Sequence, residues 1–205
     1  MSIIEDRLPL LETVKLERGS HDPNGRFCAM ELAAHLAGEP WSHRPDCVSP
    51  TISTFMVSWN DAMDDNDRQI LLPVIPKLIG TKTTKADEET RAWMATDWLA
   101  RECVPAWLRL AGLTEHAELL ENLVPYTSTA IAQSNQKTLA AAGDAAWAAA
   151  GDAARAAAWD AAGAAAGAAA GDAAGAAAGA AFRQTVEVLQ VSALKLVERM
   201  ADVGR

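Results

Sequence analysis

Residues 163–182 read GAAAGAAAGDAAGAAAGAAF, with glycine at every fourth position of an otherwise alanine-rich segment. Residues 163–181 belong to a longer stretch, residues 140–181, that contains only Ala, Gly, Asp, Trp and one Arg. Alanine is the best helix former, and no proline follows Pro125, so helix is the only regular structure that this composition favours. The sequence therefore predicts one long helix, or a helical hairpin, in the C-terminal part of the chain.

The glycine spacing indicates a possible packing surface. A four-residue period exceeds the 3.6 residues of a helical turn, so the glycine row winds around the helix by about 40° per repeat. Over a few repeats, the missing side chains turn a ridge into a groove that a second helix can approach closely. We predict a helix-packing interface that includes Gly163, Gly167, Gly171, Gly175 and Gly179. The alternative, which the sequence leaves open, is repeat expansion without selection for packing.

The repeat is followed by a heptad segment, residues 182–203. Its apolar residues alternate in spacings of four and three: Phe182, Val186, Leu189, Ala193, Leu196, Met200 and Val203. This pattern predicts a buried seam, either in a coiled coil or in a helix docked against the N-terminal helices. We assign Phe182, Val186, Leu189, Leu196 and Met200 to the predicted interface.

The composition changes near Pro125, since all nine prolines lie at or before that residue. Upstream, Ser49-Pro50 is a good helix start and Gly38 a good helix end, and about five helices with short links are predicted. The fold class predicted is all-α. An orthogonal helical bundle is expected over residues 1–125 and an alanine-rich helical tail over residues 126–205.

The formal net charge of -9 argues against nucleic-acid binding, which depends on Lys and Arg. No stretch has the roughly 20 strongly apolar residues of a membrane-spanning helix. Three cysteines cannot all pair within one chain, which fits a reducing compartment. These features predict a cytoplasmic protein that binds neither nucleic acid nor membrane.

A metal site is one candidate for chemistry in the N-terminal region. Cys28, Glu31 and His35 share one face of a predicted helix, and His43 and Cys47 follow closely. Thiolate, carboxylate and imidazole all bind zinc, so zinc is the metal expected. The spacing matches no known metal motif, and packing of these residues in a core is the favoured alternative.

A ligand site is the second candidate, centred on the turn GEPWS at residues 38–42. Carboxylates and an imidazole around an aromatic ring could hold a polar ligand or do acid–base chemistry; the residues are His21, Glu31, Glu39, Trp41 and Asp46. No G-x-S-x-G elbow and no phosphate-binding glycine loop occurs. We therefore assign no catalytic residue and expect a protein that is not an enzyme.

Two groups of residues also carry a resemblance to a protein family. The motifs CAMELAAHLAGEPWS, at residues 28–42, and SWND, at residues 58–61, resemble an uncharacterised family from actinobacteria, other bacteria and their phages. Members join this N-terminal region to alanine-rich tails of variable length. The resemblance covers roughly residues 12–125 and implies a bacterial or phage setting, with no known activity.

Together these patterns predict a non-enzymatic interaction or scaffolding protein. Its N-terminal bundle would recognise a protein partner, and its C-terminal helices would self-associate or dock. The alternative is a binding domain or an enzyme that binds a metal ion or small ligand with residues between His21 and Cys47.

Overall fold

The computed structural model describes residues 3–23, 25–163 and 168–205, and it describes side chains in these ranges except for residues 153–163 and 168–178. The described residues form helices and no strand, with one isolated bridge between Leu16 and Phe27. The all-α fold class predicted from the sequence is confirmed. None of the helices in these ranges is long and apolar enough to cross a membrane.

The helices follow one another with short links. A 3₁₀ helix, Glu5–Glu12, comes first, and a second one, Asp67–Leu71, precedes α3. The α-helices are α1 (Ala29–Ala37), α2 (Pro50–Ala62), α3 (Ile75–Leu78), α4 (Lys85–Trp98), α5 (Val104–Leu110), α6 (Thr114–Glu121), α7 (Thr129–Gly163) and α8 (Ala168–Asp202). A π-helical turn, Leu99–Cys103, joins α4 to α5.

The chain forms two compact units. Unit 1 comprises Met1–Ala92 together with Leu194–Arg205, and unit 2 comprises Trp93–Ala193. Helix α8 therefore contributes its last residues to unit 1 and its earlier residues to unit 2. Pro125, where the composition changes, lies inside unit 2. The boundary between the two compact units is therefore not the boundary that the composition marks.

The helix signals of unit 1 act as the sequence predicts. The Ser49 hydroxyl accepts a hydrogen bond from the Ile52 amide, at 3.3 Å, and Pro50 is the first residue of α2. Gly38 ends α1 in the left-handed conformation, with φ of 72°. Helix α1 packs against α2 and α3 and is buried along almost its whole length.

The end of α8 completes the core of unit 1. Leu196, Val197 and Met200 are buried there. Arg91, on α4, is fully buried and donates hydrogen bonds to the carbonyl oxygens of Met200, at 3.0 Å, and Val203, at 2.6 Å. Of the two arrangements expected for the heptad segment, this part of it adopts the docked one.

Unit 2 is built around α5, α6 and parts of the tail. Ala142 of α7 is buried in a cluster with Leu108, Ala117 and Leu120. Phe182 of α8 lies against Trp107, with ring centroids 5.3 Å apart. In one straight helix, Ala142 and Phe182 would lie about 60 Å apart, yet they contact the neighbouring residues Leu108 and Trp107. Ala142 and Phe182 therefore do not lie on one continuous straight helix.

The predicted glycine interface is described only at one end. Gly167 lies outside the described residues, and so do the surroundings of Gly163, Gly171 and Gly175. At Gly179, an added methyl group would meet the Arg183 guanidinium at 3.7 Å, an ordinary contact distance. Packing along the repeat therefore stays a prediction.

Candidate functional site

The buried carboxylate of Glu31 lies at the centre of a polar cluster in unit 1. It is 1% exposed and accepts three hydrogen bonds: from the His21 amide at 2.7 Å, from the Cys28 amide at 2.8 Å and from His21 Nδ1 at 2.9 Å. Burial acts to raise the pKa of Glu31, but these hydrogen bonds outweigh it, and the pKa lies below its ordinary value. The carboxylate thus fastens the loop before α1 to the first turn of the helix.

An aromatic group packs beside this cluster. Trp41 Nε1 donates a hydrogen bond to the His21 carbonyl oxygen at 2.6 Å. The Phe27 ring lies between two others, with centroids 4.9 Å from Trp41 and 5.4 Å from His35. The structure therefore brings together three of the five predicted ligand residues: His21, Glu31 and Trp41.

The other two predicted ligand residues make different contacts. Asp46 is exposed and pairs with Lys82. Glu39 directly follows the end of α1, where its amide donates to the Ala34 carbonyl at 3.0 Å, and its carboxylate lies near the Cys47 thiol. Among the contacts of the described residues, none joins Glu39 or Asp46 to the Glu31 cluster.

The five predicted metal ligands lie in different environments: Cys28 and Glu31 are neighbours in the buried cluster, whereas His35, His43 and Cys47 have other contacts or are exposed. Burial raises the pKa of the Cys28 thiol to about 12, and burial followed by the charge of Glu39 raises that of Cys47 to about 12. His35 packs edge-on against Phe27, where burial lowers its pKa, and His43 is exposed. Without a metal ion, both cysteines therefore favour the neutral thiol form.

The described residues contain no group of three His, Cys, Asp or Glu side chains arranged to hold a metal ion. The zinc site at Cys28, Glu31, His35, His43 and Cys47 stays a prediction that metal analysis can test.

Asn60 and Asp61, at the end of α2, extend the polar cluster. The Asn60 side chain accepts from the Ala29 amide at 3.2 Å and donates to the Glu17 carbonyl at 3.0 Å. One oxygen of Asp61, Oδ1, accepts from the Gly19 amide and from Asn60 Nδ2, each at 2.9 Å. Both residues belong to the SWND motif, for which the sequence favours packing in the core over a binding surface. A signal was present, since Asn60 continues the four-residue spacing of the buried residues Ile52 and Met56.

A cleft of about 190 Å³ lies beside Asn60 and Asp61. It is lined by Gly19, Ser20, Cys28, Ala29, Met30, His43, Val57, Asn60 and Asp61. The Glu31 side chain is not part of this lining.

Unit 2 presents a different kind of surface, because large apolar side chains lie on its outside. The exposed large hydrophobic residues among the described side chains all belong to this unit: Leu99, Leu110, Leu119, Val124, Leu139, Trp147, Phe182, Val188 and Val191. Trp147, on α7, is 81% exposed. Contiguous exposed apolar surface is typical of protein interaction sites, and tryptophan is enriched in them.

The apolar residues of α8 lie on two sides of the helix. The heptad seam begins at Phe182, which contacts Trp107 but is still 53% exposed. It continues through half-buried Val186 and Leu189 to the buried end of the helix. At 100° per residue, Val188 and Val191 lie on the side away from this seam. The helix therefore has a second apolar side, which the described residues leave exposed.

No protein-family model matches this chain, and no significant match was found among curated proteins or solved structures.

Proposed function

We propose that this chain is a non-enzymatic interaction or scaffolding protein that binds a protein partner, or a second copy of itself, through the C-terminal helices in unit 2. The observation that carries the proposal is the position of the exposed large hydrophobic side chains, all of which lie in unit 2 among the described residues. Removing an apolar side chain of this size from water contributes about 1.5–3 kcal/mol. Several of them together would support a stable association.

The state of the polar cluster in unit 1 favours this proposal over an enzyme. The Glu31 carboxylate, its most buried acid, already accepts hydrogen bonds from two backbone amides and the His21 ring. The Cys28 thiol has a pKa raised to about 12 and so is a poor nucleophile. These groups hold the loop in place, and their polar atoms are occupied in doing so.

The resemblance of residues 12–125 to bacterial and phage proteins with alanine-rich tails gives this proposal its setting. We place the protein in the cytoplasm of a bacterium or of a phage-infected bacterium. The excess of acidic residues favours a protein partner over nucleic acid.

Light scattering coupled to size-exclusion chromatography tests self-association on the full chain over a range of concentrations. We expect a mass above that of the monomer, and a lower mass for the double variant Val188→Ser/Val191→Ser. Gln184→Ser is the control, since Gln184 is an exposed polar residue on the same helix. A monomer at every concentration would contradict self-association.

A partner of different sequence is tested by affinity capture from a bacterial lysate, with wild-type and double-variant chains compared as bait. We expect a protein that the wild-type chain retains and the double variant does not. Identical capture by both would contradict a role for the exposed side of α8.

The second candidate function is the binding of a metal ion or small ligand by residues between His21 and Cys47. The observation in its favour is that hydrogen bonds hold His21, Glu31 and Trp41 together. Elemental analysis of the protein purified without chelator tests the metal version. A stoichiometric amount of zinc would support it, and its absence would contradict it.

A further inference from the structure

The cleft in unit 1 is lined by one acidic side chain, Asp61, and only one of its two carboxylate oxygens is hydrogen-bonded among the contacts of the described residues. Asp61 is half-buried, and its Oδ1 atom accepts from the Gly19 amide and from Asn60 Nδ2. These two bonds fix the orientation of the carboxylate. The contacts of the described residues include no hydrogen bond or ion pair to its second oxygen, Oδ2. A positioned carboxylate oxygen at a cleft is a recognition group for a cation or a hydrogen-bond donor.

The surroundings of Asp61 favour a positive charge. It lies in the last turn of α2, a helix of 13 residues, and the C-terminal end of a helix carries partial negative charge. None of the described residues that line the cleft is Lys or Arg. No Lys or Arg of the lining therefore neutralises the negative charge of Asp61.

The rest of the lining limits the size and chemistry of the ligand. Half-buried Val57 contributes accessible apolar surface, with the fully buried Ala29 and Met30 beneath it, and the exposed imidazole of His43 adds one polar group. The volume of about 190 Å³ is smaller than the roughly 300–1,000 Å³ of pockets for drug-sized ligands. A short apolar stem that ends in a charged group matches this combination.

We infer that the cleft binds an ammonium or guanidinium group on a short alkyl stem, with the charged group at Asp61 and the stem against Val57. Two sources supply this chemistry: a free small organic cation, and the Lys or Arg side chain of a partner protein. The inference does not depend on self-association, so the light-scattering result and the binding result can fail separately.

Binding is measured by chemical shift titration of the full-length, ¹⁵N-labelled protein. The probes are n-butylguanidinium, n-butylammonium, the uncharged n-butanol, and an Ala-Arg-Ala peptide blocked at both ends. We expect saturable shifts at Gly19, Asn60 and Asp61 with the charged probes and not with n-butanol. Tighter binding of the peptide would indicate a protein side chain as the source, and tighter binding of n-butylguanidinium would indicate a free cation.

Two variants test the site itself. Asp61→Asn keeps an oxygen that can accept from Gly19 but removes the charge, and we expect it to weaken binding at least about tenfold. Val57→Phe keeps the charge and fills the cleft, and we expect it to abolish the shifts. Asp144→Asn, an exposed position in unit 2, is the matched control and should bind as the wild type does.

Thermal unfolding of each variant, followed by circular dichroism, confirms that it is folded. Three results would overturn the inference: no saturable shift with any charged probe, equal shifts with n-butanol, or unchanged affinity in Asp61→Asn.

Discussion

Unit 1 and unit 2 distribute polar and apolar side chains in opposite ways. Among the described residues, the buried polar or charged side chains lie almost all in unit 1, with Asn135 the exception in unit 2. The exposed large hydrophobic side chains lie entirely in unit 2. Burying polar groups is costly unless they are hydrogen-bonded, whereas exposed apolar surface gains free energy when something covers it. The contrast suggests that unit 1 is stabilised from within and that unit 2 is suited to being covered.

Two buried arginines illustrate how unit 1 uses polar side chains. Arg68 donates to the carbonyl oxygens of Asn60 and Met63, at 2.8 and 2.6 Å, at the end of α2. Arg91 does the same at the end of α8, with Met200 and Val203. Carbonyls in the last turn of a helix lack the usual partners within the helix, and the Met200 carbonyl has a further bond of 3.4 Å from the Val203 amide. Each guanidinium therefore supplies donors that the end of the helix lacks.

The largest effect is expected from Arg91→Met. This substitution removes the guanidinium donors from two carbonyls of the α8 terminus and from one oxygen of the Glu88 carboxylate, Oε1, which accepts from Arg91 at 2.6 Å. We expect a loss of about 3–5 kcal/mol in the free energy of unfolding, measured by urea denaturation. Arg199→Met is the control, since Arg199 is exposed on the same helix, and it should change stability by less than about 0.5 kcal/mol. Equal losses of stability in Arg91→Met and Arg199→Met would contradict a special role for the buried guanidinium of Arg91.

A smaller effect is expected from Leu196→Ala, which tests whether α8 belongs to the core of unit 1. Leu196 is fully buried, whereas Val191 is exposed on the same helix. The loss of buried volume at Leu196 should destabilise the protein by about 2–4 kcal/mol in urea denaturation. Val191→Ala should cost less than about 0.5 kcal/mol. A small effect at Leu196 would show that the end of α8 is not needed for the stability of unit 1.

The next effect is expected from Glu31→Gln and depends on pH. The folded-state pKa of Glu31 lies below its ordinary value, so its ionised form stabilises the fold at neutral pH, and this stabilisation is lost as the pH falls through the folded-state pKa. We expect the variant to be about 1–2 kcal/mol less stable near neutral pH. The difference should shrink in acid, when urea denaturation is repeated at decreasing pH. A difference independent of pH would mean that the ionised form of Glu31 is not the stabilising one.

The sequence predicted the helices of this fold well, for local reasons. Ser49-Pro50 and Gly38 act on their own backbone neighbours, so their effect can be read from a short window. The division of the chain could not be predicted in this way. It depends on the return of α8 to unit 1, which rests on contacts between Arg91 and residues more than 100 positions away.

The candidate site was predicted only in part. His21, Glu31 and Trp41 were identified by residue type, and the structure brings them together. Asp61 was not identified in this way. Its carboxylate is oriented by a hydrogen bond from the Gly19 amide, 42 residues away in sequence, and this contact exists only in the folded chain. Exposure of apolar side chains in unit 2 is also a property of tertiary packing. Composition alone predicts that such residues will be buried.

The smallest effect on stability, and the sharpest test of unit 2, is expected from Trp147→Ser. The ring is 81% exposed, so its removal should change the free energy of unfolding by less than about 0.5 kcal/mol. If a partner or a second copy covers the ring, the same substitution should weaken association by about 1.5–3 kcal/mol, which is a factor of roughly ten or more in the dissociation constant. Sedimentation velocity over a concentration series measures association, and urea denaturation measures stability. Ala148→Ser, at the exposed neighbouring position of α7, controls for serine in the helix and should change neither association nor stability.

A large loss of stability in dilute Trp147→Ser protein would mean that the ring is covered within the monomer. Unchanged stability and unchanged association would mean that nothing covers the ring, and the proposed interface would then have to lie elsewhere on unit 2.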